Sequence, residues 1–143
     1  MTTPWLAERH WSEDGQRIHI TVDDAHRVVV VFDGKGSMPG AKALIDLIES
    51  IRTQLGEHIL ISALVDMRRL DGAPLRAQFV LGKWLLGRKK QIDKVALFGG
   101  KPIEMSIGKA VMTIAGMGQK AWFGHTVGDA LRFLGWPTER HPA

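Results

Sequence analysis

The period of the apolar positions changes several times along the chain, and each change predicts an element. Ile18, Ile20 and Val22 alternate with His19 and Thr21, the period-two pattern of a half-buried strand, here read as an edge strand. Asp23–His26 is polar and turn-like, and Arg27–Asp33 follows with four consecutive valines and a phenylalanine. Such a run cannot alternate in and out of water, so it predicts a strand buried on both faces and an opening hairpin with its predecessor. After the glycine-rich break Gly34–Gly40, the period becomes helical. Leu44, Leu47, Ile48, Ile51 and Leu55 share one face, Lys42, Asp46, Glu49 and Arg52 take polar positions around it, and Gly56 is a stop.

Ile59–Val65 predicts the next buried strand, and Asp66–Pro74 a polar loop. Pro74 opens a second helix, read as turning Leu75, Phe79 and Leu86 inward and ending near Lys90. Lys94–Phe98 predicts a strand closed by Gly99-Gly100, followed by a helix with Ile103, Ile107, Ala110, Val111 and Ile114 on one stripe. Ala121–Phe123 is a short strand. Thr126 and Asp129 have capping-box spacing before a last helix that carries Val127, Ala130, Leu131 and Leu134. The order β-β-α-β-α-β-α-β-α predicts an α/β fold with a mixed, mostly parallel sheet and right-handed crossovers. No repeat or linker divides residues 1–143, so a single domain is expected, with a core at about 17–136 and loose termini at Met1–Ala7 and after Trp136.

Composition narrows the chemistry. The 143 residues contain no cysteine, which excludes a disulfide framework and thiolate chemistry and favours a reducing, cytoplasmic setting. No apolar run approaches the roughly 20 residues of a membrane span, and Met1–Trp11 lacks the pattern of a secretory leader. The net charge of +4, from 19 Lys and Arg against 15 Asp and Glu, is spread along the chain, so a nucleic-acid partner is not expected.

Local matches support a family resemblance. Val28–Gly34, Leu64-Val65-Asp66-Met67, Lys94-Val95-Ala96-Leu97-Phe98 and the closing Phe123–Leu134, with Asp129-Ala130-Leu131-Arg132-Phe133-Leu134, resemble strands and the last helix of the SpoIIAA-like branch of the STAS and CRAL-TRIO-like folds. The resemblance covers roughly Arg17 to Trp136 and speaks for fold more than activity. It implies a SpoIIAA-like, non-enzymatic regulatory domain that recognises a protein partner, or, as the alternative, a small CRAL-TRIO-like carrier of lipid or another apolar ligand. STAS relatives switch by phosphorylation of a serine at a helix start. The matching stretch here is Asp71-Gly72-Ala73-Pro74, which has no hydroxyl to accept phosphate.

No catalytic motif, metal-ligand spacing or cofactor fingerprint emerges. Gly34-Lys35-Gly36-Ser37 precedes a helix and could let amides approach an anion, but it is no Walker sequence, and a plain turn explains it. The six histidines show no paired metal spacing, and no serine lies in a nucleophile elbow. Asp66, Arg68, Arg69 and Asp71 follow the central strand, at the strand ends where α/β sheets usually bind ligands, and with Phe79 and Trp84 they are the candidate recognition residues. Surface ion pairing is the plainer explanation of the charged four. Arg88-Lys89-Lys90 with Lys83 and Lys94 suits a helix C-terminus and also allows peripheral contact with anionic lipid. Trp84, Trp122, Phe123 and Trp136 could line a cavity. A cavity of a few hundred Å³ beside Trp84, Phe79 and the third helix would favour the carrier. The exposed edge strand offers a route to a homodimer.

Overall fold

The computed structural model describes residues 5–137 and is built on one six-stranded sheet in sequential order β1-β2-β3-β4-β5-β6. Strands β1 (Trp5–Glu13), β2 (Gln16–Asp23) and β3 (Arg27–Gly34) form an antiparallel meander. Strands β4 (Ile61–Leu70), β5 (Ile92–Phe98) and β6 (Ala121–Gly124) then add in parallel, each after a helix. The helices are α1 (Met38–Leu55), α2 (Leu75–Arg88), α3 (Pro102–Ile114) and α4 (Val127–Leu134). Because the strand order never reverses, right-handed crossovers put α1, α2 and α3 on the same face.

Two departures from the sequence reading concern the first two strands. The structure adds β1, so Ile18–Val22 is not an edge: β2 is paired on both sides, and β1 takes the edge position. Of Trp5–Glu13, only Ala7 is fully buried, because an edge strand half open to water tolerates Glu8, Arg9, His10 and Ser12. Met1–Pro4 and Thr138–Ala143 lie outside the described residues, so looseness at the termini is answered only for Trp5–Ala7, which are strand.

The main core fills the space between the sheet and the three crossover helices. Ile18, Ile20, Val28, Val30, Val65 and Val95 supply its floor, while Ile48, Ile51, Val111 and Met112 come from α1 and α3. A smaller cluster lies on the opposite face, where Ala130, Leu131 and Leu134 of α4 cover Leu64, Ala96 and Phe98. The predicted faces of α1 and α4 therefore hold.

Helix α2 does not follow its predicted face. Leu75, Phe79 and Leu86 were expected inside, yet they are 77%, 53% and 50% exposed. Its fully buried residues are the small Ala77 and Gly82, with Leu81, Trp84 and Leu85 partly buried against the core. Packing explains the rotation: a Cβ on Gly82 would lie 2.5 Å from Ile114 of α3, so only glycine permits this approach. Ile103, placed on the apolar stripe of α3, is likewise 71% exposed at the first turn of that helix. Gly82→Ala, although favourable for intrinsic helicity, is expected to destabilise by about 1–3 kcal/mol through overpacking against Ile114; urea denaturation with an unchanged midpoint would contradict this seating of α2.

Candidate functional site

Beneath α2 lies a partly open cavity of about 160 Å³ with an almost wholly apolar wall. Val30, Ala63, Val65 and Val95 form its floor, Leu44 and Ile48 of α1 one side, and Ile107, Gly108 and Val111 of α3 the other. Leu81, Trp84 and Leu85 of α2 close it from above. It is smaller than the few hundred Å³ considered from sequence. Trp84 and α3 line it as anticipated, but Phe79 does not: it faces outward, with the Lys83 ammonium 5.5 Å from its ring centre. Trp122 stacks on Phe133 on the opposite face, where Trp136 also packs, and Phe123 packs against the main core without lining the cavity.

The few polar groups of the wall gather at the end nearest the helix starts. Gln16 is buried, and its Oε1 accepts a 2.7 Å hydrogen bond from the Ser37 hydroxyl. Ser37 Oγ in turn accepts from the Gly40 amide at 3.0 Å as the N-cap of α1. Gly36 donates its amide to the Gly72 carbonyl at 3.0 Å, and a Cβ on Gly34 (φ +94°) would lie 1.9 Å from the Gly15 carbonyl oxygen. In the turn Gly34–Ser37 the Gly36 amide and the Ser37 hydroxyl are thus engaged in joining the β4–α2 loop and β2, while Lys35 is exposed.

At the other end, α2 is clasped to α1. Glu49 accepts hydrogen bonds from Trp84 Nε1 at 3.1 Å and Arg88 Nε at 3.0 Å, and pairs closely with Arg88 Nη2. Burial pushes the Glu49 carboxyl up, but the bonds from Arg88 and Trp84 and the charges of Arg88 and Arg52 outweigh it, leaving the group below its ordinary value of 4.5. On the sequence, Glu49 and Arg52 read as surface positions of α1. Their spacing from the apolar stripe carries no sign that α2 would return to cover them.

The charged candidates fall in three places. Because β4 runs on to Leu70, Asp66, Arg68 and Arg69 belong to a strand and not to the predicted polar loop. Asp66 is buried and accepts from Arg68 Nη2 at 2.7 Å and from Arg68 Nε at 3.1 Å, while that guanidinium lies 5.2 Å from the centre of the Phe98 ring. Arg69 pairs with Asp33 at 3.6 Å. Exposed Asp71 is 4.0 Å from Lys101, next to Gly72, whose amide donates to buried Glu104 at 3.0 Å. None of these four charged residues lines the cavity; of the residues anticipated for recognition, only Trp84 does.

Solved structures share this fold. A crystal structure of a DUF3478-family protein with a SpoIIAA-like fold, from Shewanella loihica PV-4, superposes with a TM-score of 0.63 at 24% identity, covering 87% of this chain and 98% of that one. The anti-sigma factor antagonist SpoIIAA, in its unphosphorylated form, gives a TM-score of 0.56 at 16% identity, covering 85% and 99%. No protein-family model and no curated protein matches the chain. The class defined by strand order and helix placement is thus an α/β domain with a mixed six-stranded sheet. Its particular fold is SpoIIAA-like. Helix α2 starts from Pro74, which gives it no side-chain cap.

The Glu49 clasp has a definite pH signature. A carboxylate held low in the folded state contributes stability above its unfolded value, near 4.5, and loses it as pH falls through the lower folded value. Glu49→Gln should lower Tm at neutral pH by ~2–4 °C, the effect of losing about 1 kcal/mol in a domain of this size. The gap between the variant and the parent should narrow on acidification below that value. A gap unchanged from neutral pH to about pH 3 would rule the clasp out.

Proposed function

We propose that this chain is a binding domain that takes a small apolar ligand between its sheet and α2. The cavity carries this reading. Protein interiors pack at the density of organic crystals, and an apolar void costs about 24 cal/mol per Å³. Filling 160 Å³ of apolar space with ligand atoms would be worth up to about 4 kcal/mol, the limit set by a sealed void. A void of ~150 Å³ takes one benzene-sized molecule, so the ligand, or the part of it that enters, is of that scale. With no catalytic constellation in the wall, enclosure and not conversion is the activity the site supports. The cysteine-free sequence suits a cytoplasmic carrier.

A second reading, recognition of a protein partner, draws on a different observation. Leu75, Phe79 and Leu86 form an exposed apolar row along α2, with Ile103 exposed at the start of the neighbouring α3. No acidic residue occurs from Leu75 to Gln91, while Arg76, Lys83 and Lys90 are exposed there, so an acidic partner surface or an anionic lipid headgroup layer would complement this face. Among the described residues no helix is long and apolar enough to cross a membrane.

The cavity reading predicts that benzene or cyclohexane raises Tm saturably, by mass action on the folded state. Ala63→Leu, which adds volume from the floor, should abolish that shift while leaving Tm equal or higher. A parent protein indifferent to both hydrocarbons would refute the cavity as a binding site. Phe79→Ser should leave the hydrocarbon response intact, since Phe79 lies outside the wall.

A further inference from the structure

We propose that the ligand of this cavity is an apolar group bearing a carboxylate or similar oxyanion, and that the buried guanidinium of Arg52 receives the anion. The proposal rests on reading the cavity as a binding site and specifies what enters it. Arg52 is only 7% exposed, and its Nη2 is buried without a hydrogen-bond partner among the described residues. Its Nη1 comes no nearer than 3.4 Å to Glu49, at the outer limit of a hydrogen bond. Glu49 is instead committed to Arg88 and Trp84. Two guanidiniums therefore share one carboxylate that Arg88 holds, leaving the cluster with one positive charge in excess. A buried charge with an unmet donor is costly unless something supplies the missing acceptor, and an anion would supply both charge and acceptor.

The position fits an amphiphile entering head-down. Arg52 lies one helical turn beyond Ile48, which lines the cavity, and Trp84 connects the cavity wall to Glu49. The last turns of α1 and α2 meet here above the beginnings of β4 and β5, where Ile61 and Ile92 are paired. Gln91, immediately before Ile92, contributes a second buried polar atom without a partner among the described residues, its Oε1. Arg52 and Gln91 lie outside the wall itself, one helical turn from Ile48 and one residue from Ile92, and among the described residues their buried atoms Nη2 and Oε1 have no partner. A head held by Arg52 would direct its tail past Ile48 and Trp84 toward Ala63.

Two matched pairs test this, hexanoate against hexan-1-ol and benzoate against benzyl alcohol, titrated by calorimetry into the full chain. Each acid should bind at least about tenfold more tightly than its alcohol, the size of a charge-assisted hydrogen bond. Arg52→Met should erase the preference and leave the alcohols' affinity unchanged. Equal affinities in the parent, or a preference that survives Arg52→Met, would overturn the proposal, leaving an ordered water as the partner of Arg52 and the cavity reading intact. If none of the four compounds binds the parent, the cavity reading falls and this proposal with it. Should Arg52→Met not fold, the parent decides by NMR: the Arg52 Nε–Hε resonance moves with hexanoate and not with hexan-1-ol, and a resonance unmoved by hexanoate refutes the contact.

Discussion

The seating of α2 is the constraint on which the rest of this structure depends. The helix crosses back over the sheet but rests on its neighbours. Gly82 lies against Ile114 of α3, and Trp84 and Arg88 bind Glu49 of α1. Ala77, the other fully buried residue of α2, is too small to reach the floor, and Ala63 below it is equally short. A helix suspended from two flanking helices above short strand side chains leaves a gap, and that gap is the cavity. The same suspension turns Leu75, Phe79 and Leu86 outward, because the inward side is already given to the small residues and to Leu81, Trp84 and Leu85.

The opposite face shows what ordinary packing looks like in the same sheet. There α4 sits directly on the strands: Leu64, Ala96, Ala130 and Leu131 are 0–2% exposed. This cluster anchors the parallel half of the sheet, and Lys94 extends it by donating to the Phe133 carbonyl at 3.2 Å. The Asp66–Arg68 pair borders it through the Phe98 ring. These charged groups, which suggested recognition at the level of sequence, are engaged mainly with one another and with that ring. Their position at the end of a central strand did not bring them to the cavity, because successive side chains on a strand alternate between faces. Met67 points toward α3, while Asp66 and Arg68 point the other way.

Much of the fold was legible because its elements announce themselves by period. The valine run of β3, the stripe of α1 and the Thr126 cap of α4 each depend on local chemistry that a sequence displays directly. The edge strand β1 was not, since one buried alanine among Glu, Arg and His gives no period to detect. Nor was the face of α2: Leu75, Phe79 and Leu86 make one helical stripe, while Leu81, Trp84 and Leu85 make another, and only the glycine contact with Ile114 chooses between them. That choice is tertiary. It also explains why Trp84 could be singled out from sequence while Glu49 could not, for its partners arrive on α2 from 35 and 39 residues away.

The clasp and the cavity are consequences of one arrangement. A helix held off the sheet forgoes the burial that would otherwise keep it in place, so polar contacts at its ends must supply part of the missing attachment. Glu49 does so by receiving the Trp84 indole and the Arg88 guanidinium, with Arg52 left at the margin of the cluster. Replacing Glu49 by an apolar residue would remove the attachment without closing the gap, because Gly82 and Ile114 fix how far α2 can descend. Filling the gap from below would remove the space without loosening the clasp. Attachment and volume are therefore set by different residues, and the clasp can be altered independently of the cavity's apolar floor.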